Sequence, residues 1–304
     1  MKTTFLSLLI LVFIISCNNN HGVIPDEIVK MEKDIKSSPS DKSFLDLNNK
    51  YKELLKNNRL SDEERKEILS RAYKFFMDSG KDSYALTYLT ELIKDFPGEQ
   101  SMKWIKDMVS VFDKKGSSEL SLLMKKLYVK NFPDDKESFT DVRSGIDSID
   151  FDFDKYLKGE GEKIFADLET TGKLNVKAAK DYVNDCEAFV LIAPADSLSP
   201  EYLFKAGEVA HTIKSYNKTF ELYDWILDKY AGYKKTPTAL FLKGYILDNE
   251  LKKYDDAKKI YNQFLQKYPN SELVDDVKTL IKYMGKSDEE ILKMIEENKG
   301  KQGN

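Results

Sequence analysis

Apolar residues recur at intervals of three and four along most of the chain, the period of one helical face. Over 254–269 the positions are Ala257, Ile260, Tyr261, Phe264, Leu265 and Tyr268, and the stripe stops at Pro269. A second helix is predicted over 176–192, ending near Pro194. A third stripe, Leu273, Val274, Val277, Leu280, Ile281 and Met284, is closed by Gly285. Ser61 with Glu64 has the spacing of a capping box ahead of Ile68, Leu69, Ala72, Phe75 and Phe76, and Ser287 with Glu290 opens a last helix through Ile295. Phe96-Pro97, Phe132-Pro133 and Tyr230-Ala231 close comparable stretches. Gly 14 and Pro 8 are few for 304 residues and sit mostly between stripes. The pattern predicts an all-α chain of long helices with short breaks.

The stripes repeat. Leu203, Ala206, Gly207 and Ala210 are followed by Thr219, Tyr223 and Ala231; Leu240, Gly244 and Leu247 are followed by Ala257, Tyr261 and Pro269. This resembles the tetratricopeptide repeat, in which bulky, small, aromatic and proline positions recur about every 34 residues. The resemblance implies a TPR-like α-solenoid of antiparallel helix hairpins. Small residues at Gly207, Gly244, Thr219 and Ala257 let two helices cross closely, and proline stops the second helix. Three departures stand out: Lys243 where the family prefers leucine, Ala231 for proline, and a Gly244-to-Ala257 interval one residue longer than Gly207 to Thr219. Weaker copies lie upstream. One has Leu69, Ala72 and Phe76, then Ala85, Leu89 and Pro97; the other has Ile105 and Phe112, then Ser121 and Pro133. Tyr73 and Val109 replace the expected glycine there, while Pro97 and Pro133 are 36 residues apart.

The start of the chain follows different rules. Lys2 precedes an apolar run over 5–15 that is short for a bilayer span, and Ile14-Ile15-Ser16-Cys17 resembles a bacterial lipobox. That resemblance implies cleavage before Cys17 and lipidation of its thiol. The expected layout is a signal peptide at 1–16, a lipid tether at 17–24, a degenerate TPR-like domain at 25–133, an acidic linker at 134–172 with one helix near 162–168, and a TPR domain with capping helices at 173–304. The chain is expected to divide near residue 150.

Lys+Arg 48 against Asp+Glu 52 leaves no basic footprint for nucleic acid. Catalytic chemistry is sparse. The two histidines, His21 and His211, are far apart in the chain, and Gly159-Glu160-Gly161 lacks the lysine and spacing of a phosphate loop. Asp150, Asp152 and Asp154 alternate as in a calcium loop, but Lys155 and Gly161 occupy the positions of its glycine and glutamate, so a solvated acidic linker is the expectation. Cys186 reads as a small buried residue. No catalytic residue, metal site or cofactor is expected, and the protein is expected not to be an enzyme. Asp147-Ser148-Ile149 and Asp196-Ser197-Leu198 resemble the O-glycosylation acceptor of Bacteroidota, although Asp-Ser pairs are also ordinary turn formers.

Binding remains. The tetratricopeptide resemblance implies that first helices line a groove, which places Glu201, Phe204, Glu208, His211, Thr212, Thr238, Phe241, Tyr245, Asp248 and Asn249 against a protein or peptide partner. Phe204 and Phe241 read equally well as packing between adjacent first helices. In arrangement the chain resembles the repeat lipoprotein of the outer-membrane β-barrel assembly machinery and the Tol-Pal-associated coordinator of envelope constriction. The expected function is a membrane-anchored scaffold in the bacterial envelope; a glycan-binding lipoprotein similar to the starch-utilisation family is the rival. The lipoprotein resemblance implies an outer-membrane anchor from Asn18, with no aspartate, after Cys17, and by the Bacteroidota pattern the lack of an acidic run there implies a periplasm-facing protein. Intact-mass spectrometry of the exported chain is expected to show acyl chains on Cys17, and Cys17→Ser is expected to abolish both the added mass and membrane association. One acyl chain anchors marginally at about 0.8 kcal/mol per buried CH₂, so several are expected.

Overall fold

The computed structural model describes residues 23–114, 118–145, 152–166, 168–287, 289–290 and 293. Cys17, His21, Asp147, Ser148, Asp150 and Ile295 lie outside them. The fold is all-α, of the TPR-like α-solenoid class, with no strand among the described residues. No helix among them is long and apolar enough to cross a membrane. The chain forms two compact units, Met1–Tyr88 and Leu89–Asn304.

The first unit contains α1 (Asp26–Ser37), α2 (Asp41–Leu55), α3 (Asp62–Asp78) and the start of α4 (Asp82–Asp95). The Ser61–Glu64 capping box forms at the head of α3. The stripe Ile68, Leu69, Ala72, Phe75 and Phe76 is buried as the spacing predicts. Phe76 stacks on Tyr88 with ring centroids 5.7 Å apart. Glu32 is buried and satisfied: Arg71 donates to both of its oxygens, Nη2 at 2.6 Å, and the Tyr51 hydroxyl donates to Oε1.

The second unit continues with α5 (Glu99–Lys114), α6 (Ser118–Asn131), the short α7 (Thr140–Arg143), α8 (Phe153–Phe165), the short α9 (Leu168–Thr171), α10 (Val176–Ile192), α11 (Ser199–Thr212) and α12 (Tyr216–Lys229). Next come α13 (Thr236–Tyr245), a π turn (Ile246–Glu250), α14 (Tyr254–Lys267) and α15 (Val274–Tyr283). From α11 to α15 each helix packs on its predecessor. One connection recurs three times between hairpins. The amides of Ala193, Tyr230 and Tyr268 close the preceding helix, those of Asp196, Tyr233 and Ser271 bond back to these residues, and those of Ser199, Thr236 and Val274 continue the pattern. Ala231 occupies the place of Pro194 and Pro269 in an unchanged turn, so proline is accommodated there without being required.

Counting back from those three turns aligns the second helices. Tyr223 and Tyr261 fall at one position, and Thr219 and Ala257 at another, four residues earlier. In α10 the same positions hold Cys186 and Tyr182, so the large and small residues are exchanged. Cys186 is fully buried, and burial pushes its thiol well above the ordinary range.

The linker expectation needs correction. Residues 153–165 form α8, which packs on α10 and buries Phe153, Tyr156, Leu157 and Ile164. Phe153 stacks on Phe189 at 4.8 Å and meets Tyr202 edge-on at 5.1 Å; the Tyr156 hydroxyl donates to Asp185 at 2.8 Å. Asp154 and Glu162 lie on the exposed side of this helix. Asp152 caps α8 by accepting from the Lys155 amide at 2.7 Å, and Asp154 pairs with Lys205 at 2.9 Å. The turn after α6 is equally ordered. Ser138 and the Tyr128 hydroxyl donate to Asp135, holding its carboxyl down at about 2. Because α5 and α6 also pack on α10, the division expected near residue 150 falls after Tyr88 instead.

The repeat notches are tight. A Cβ on Gly207 would lie 2.4 Å from the Tyr223 ring, and one on Gly244 would lie 2.6 Å from the Tyr261 ring. Gly207→Ala and Gly244→Ala are therefore expected to destabilise by about 1–3 kcal/mol, read from urea midpoints. Gly159→Ala, in α8 with nothing within 4 Å, is expected to gain about 0.5–1 kcal/mol.

Candidate partner-binding face

Helices α11 and α13 are first helices of successive hairpins, and side chains join them at both ends. At the N-terminal end Glu201 accepts from Lys235 Nζ at 2.8 Å and from the Tyr233 hydroxyl. Burial raises the Glu201 carboxyl, but these two donors outweigh it and hold it below the ordinary carboxylate range. At the C-terminal end His211 Nε2 lies 2.5 Å from Glu250 Oε1, and the Tyr216 hydroxyl donates to Glu250 Oε2 at 2.8 Å. Glu250 shows the same balance: burial pushes up, the His211 and Tyr216 bonds pull further down.

Glu250 reaches His211 because of the longer second copy. Gly207 precedes Lys214, which adopts φ 57°, by seven positions; Gly244 precedes its counterpart Lys252, φ 53°, by eight. The closing bond spans five residues in the first copy, Ser215 N to Ala210 O, and six in the second, Lys253 N to Leu247 O. The extra residue is absorbed as the π turn, a widening often found at functional sites. Gly80, at φ 66°, and the bond from Lys81 N to Phe76 O repeat the five-residue version in the first unit. Lys243, the other departure, pairs with Asp224 and lies over the Phe220 ring at 5.9 Å.

The residues expected in the groove divide by accessibility. Tyr245 is 39% exposed, and Glu208, Thr212 and Asn249 are exposed; His211, Thr238 and Phe241 are half-buried. Phe204 and Asp248 are corrected: both are buried. Phe204 packs on Tyr223 at 5.7 Å beneath Lys235, so its packing reading holds, while Phe241 sits among Tyr245, Tyr261 and Phe264. Asp248 points inward from the π turn towards the Tyr261 hydroxyl, 3.5 Å away. The Thr212 hydroxyl donates to the Glu208 carbonyl, and the Asn249 amide to that of Tyr245.

Sequence reasoning missed Lys205, Lys235, Tyr233, Tyr216 and Glu250. Lys205 was within reach, four residues from Glu201 on the same helix; the others are placed by the turns. Beside Glu201 a cleft of about 590 Å³ is lined by Ser197, Leu198, Pro200, Tyr230, Gly232, Tyr233 and Lys234. Ser197 itself lies in a turn in which Asp196 accepts from the Leu198 amide. Among the described residues no group of His, Cys, Asp and Glu converges as a metal site would require.

Fold and face together define a helical-repeat module of the kind that mediates protein interaction. Residues 238–271, spanning most of α13, the π turn and α14, match the tetratricopeptide repeat family. No curated protein matches the chain.

Burial raises the Asp248 carboxyl, with Lys252 and the Tyr261 hydrogen bond opposing. The fold favours its protonated form, so the stability it contributes is full below the ordinary carboxylate range, about pH 4, and is lost as pH rises through its folded-state pKa. Asp248→Asn is expected to raise Tm by a few degrees at pH 7, and the gain is expected to vanish near pH 4 in parallel thermal scans.

Proposed function

We propose that the protein is a non-enzymatic scaffold of the bacterial cell envelope, held at the membrane through Cys17, that binds a protein partner along the α11–α13 face. The observation that carries the protein-binding part of this reading is the tetratricopeptide match at 238–271, where Tyr245 of α13 and Asn249 of the π turn are exposed to solvent. All-α folds of this repeat typically organise other proteins and carry no chemistry of their own. An exposed tyrosine beside amide and hydroxyl groups combines apolar contact with directional hydrogen bonding, the mixture that anchors peptide and protein partners.

The proposed location is the outer membrane, facing the periplasm, and the proposed role is envelope biogenesis or assembly. A photo-crosslinking amino acid at position 245, in cells that make the full chain, is expected to give one dominant protein adduct. The same residue at Leu45, an exposed position in the first unit, is expected to give none of that adduct. Protease treatment of intact cells is expected to leave the protein whole. Equal labelling from both positions would count against the binding face, and cleavage in intact cells against the location.

A further inference from the structure

We propose that the α11–α13 face selects a partner segment bearing a lysine or arginine, which seats on Glu208, beside an apolar side chain that packs on Tyr245 and Phe241. The inference rests on the protein-binding reading above and adds the chemistry of the partner.

Charge bookkeeping on the face leads to Glu208. The neighbouring cations are matched: Lys205 by Asp154 at 2.9 Å and Lys235 by Glu201 at 2.8 Å. The His211 ring is taken up by its hydrogen bond with Glu250. The Glu208 carboxylate has no hydrogen-bond or ion-pair partner among the described residues, although its residue is exposed. Its surroundings do not favour its charge. Burial raises its carboxyl above the ordinary value, and the negative charge of Glu201 adds to the effect against Lys235 and Lys205. Its own charge reaches Tyr182, Tyr223 and Tyr233, whose hydroxyls burial already pushes up. An accessible carboxylate with no partner of its own can take up an incoming cation through charge-assisted hydrogen bonds.

The apolar half follows from the repeat. Tyr245 occupies in the α13 hairpin the position that Glu208 occupies in the α11 hairpin, counted forward from the preceding turns at Ala193 and Tyr230. The pairs at both ends link α11 to the two segments that flank α13. Tyr245 and Phe241, ring centroids 6.0 Å apart, offer an aromatic platform on the next hairpin.

The test is selection of a displayed random-peptide library on the full mature chain and on its Glu208→Gln, Glu208→Lys and Tyr245→Ala variants, each checked for unchanged helicity. Wild type is expected to enrich peptides with lysine or arginine near an apolar residue. Glu208→Gln is expected to weaken those peptides at least tenfold, and Glu208→Lys to select acidic residues in their place. Tyr245→Ala is expected to relax only the apolar position. Tyr245-dependent peptides without a basic residue, or equal affinity in wild type and Glu208→Gln, would overturn this inference and leave the protein-binding reading standing. If no selected peptide responds to any of the three substitutions, both fall.

Discussion

The α11–α12 and α13–α14 hairpins depend on a steric constraint: a tyrosine ring of one helix lies where the neighbouring helix has no side chain. Tyr223 fills the space at Gly207 and Tyr261 the space at Gly244, each so close that a methyl group would overlap the ring. Thr219 and Ala257, both buried, sit one turn earlier on the same helices. Close-packed interiors tolerate neither an extra methyl nor a missing ring, so these pairs set the separation within each hairpin. The α8–α10 hairpin meets the same constraint with the sizes reversed. There Tyr182 stands at the small position, within 4.0 Å of where a Gly161 Cβ would be, and Cys186 stands at the tyrosine position.

With the hairpins held this way, an added residue has to be absorbed inside a helix. The π turn at Ile246–Glu250 does this without disturbing the turn at Lys252 that follows. It redirects two acids. Asp248 turns inward to Tyr261, while Glu250 turns outward to His211 and Tyr216 on the preceding hairpin. The departure from the repeat pattern thus supplies one of the two links from α11 to the segments that flank α13. Between those links lie an unpaired carboxylate and an aromatic platform.

The repeats, the capping boxes and α10 were legible because each rests on local spacing. Residues three and four apart share a helical face, and a serine three residues before a glutamate can cap a helix; Ser61–Glu64 does so at the head of α3, and Ser287 and Glu290 make the same reciprocal bonds. The candidate face was legible in outline for the same reason, since Glu208, His211, Tyr245 and Asn249 follow from the period of α11 and α13. Helix α8 was hidden because its glycines and acids argue locally for a break, whereas its stability comes from Phe153 and Tyr156 packing on α10 and α11, far away in the chain.

The sequence by itself therefore determined the class of fold, the phase of its helices and the places where glycine is needed, because these arise from interactions within a few residues. Tertiary structure decided which side chains are accessible. Phe204 and Asp248, with the helical spacing of contact residues, are buried, and the cations near Glu208 are matched by acids elsewhere in the fold. Exposure and charge pairing depend on partners distant in the chain, and helical spacing carries no record of them.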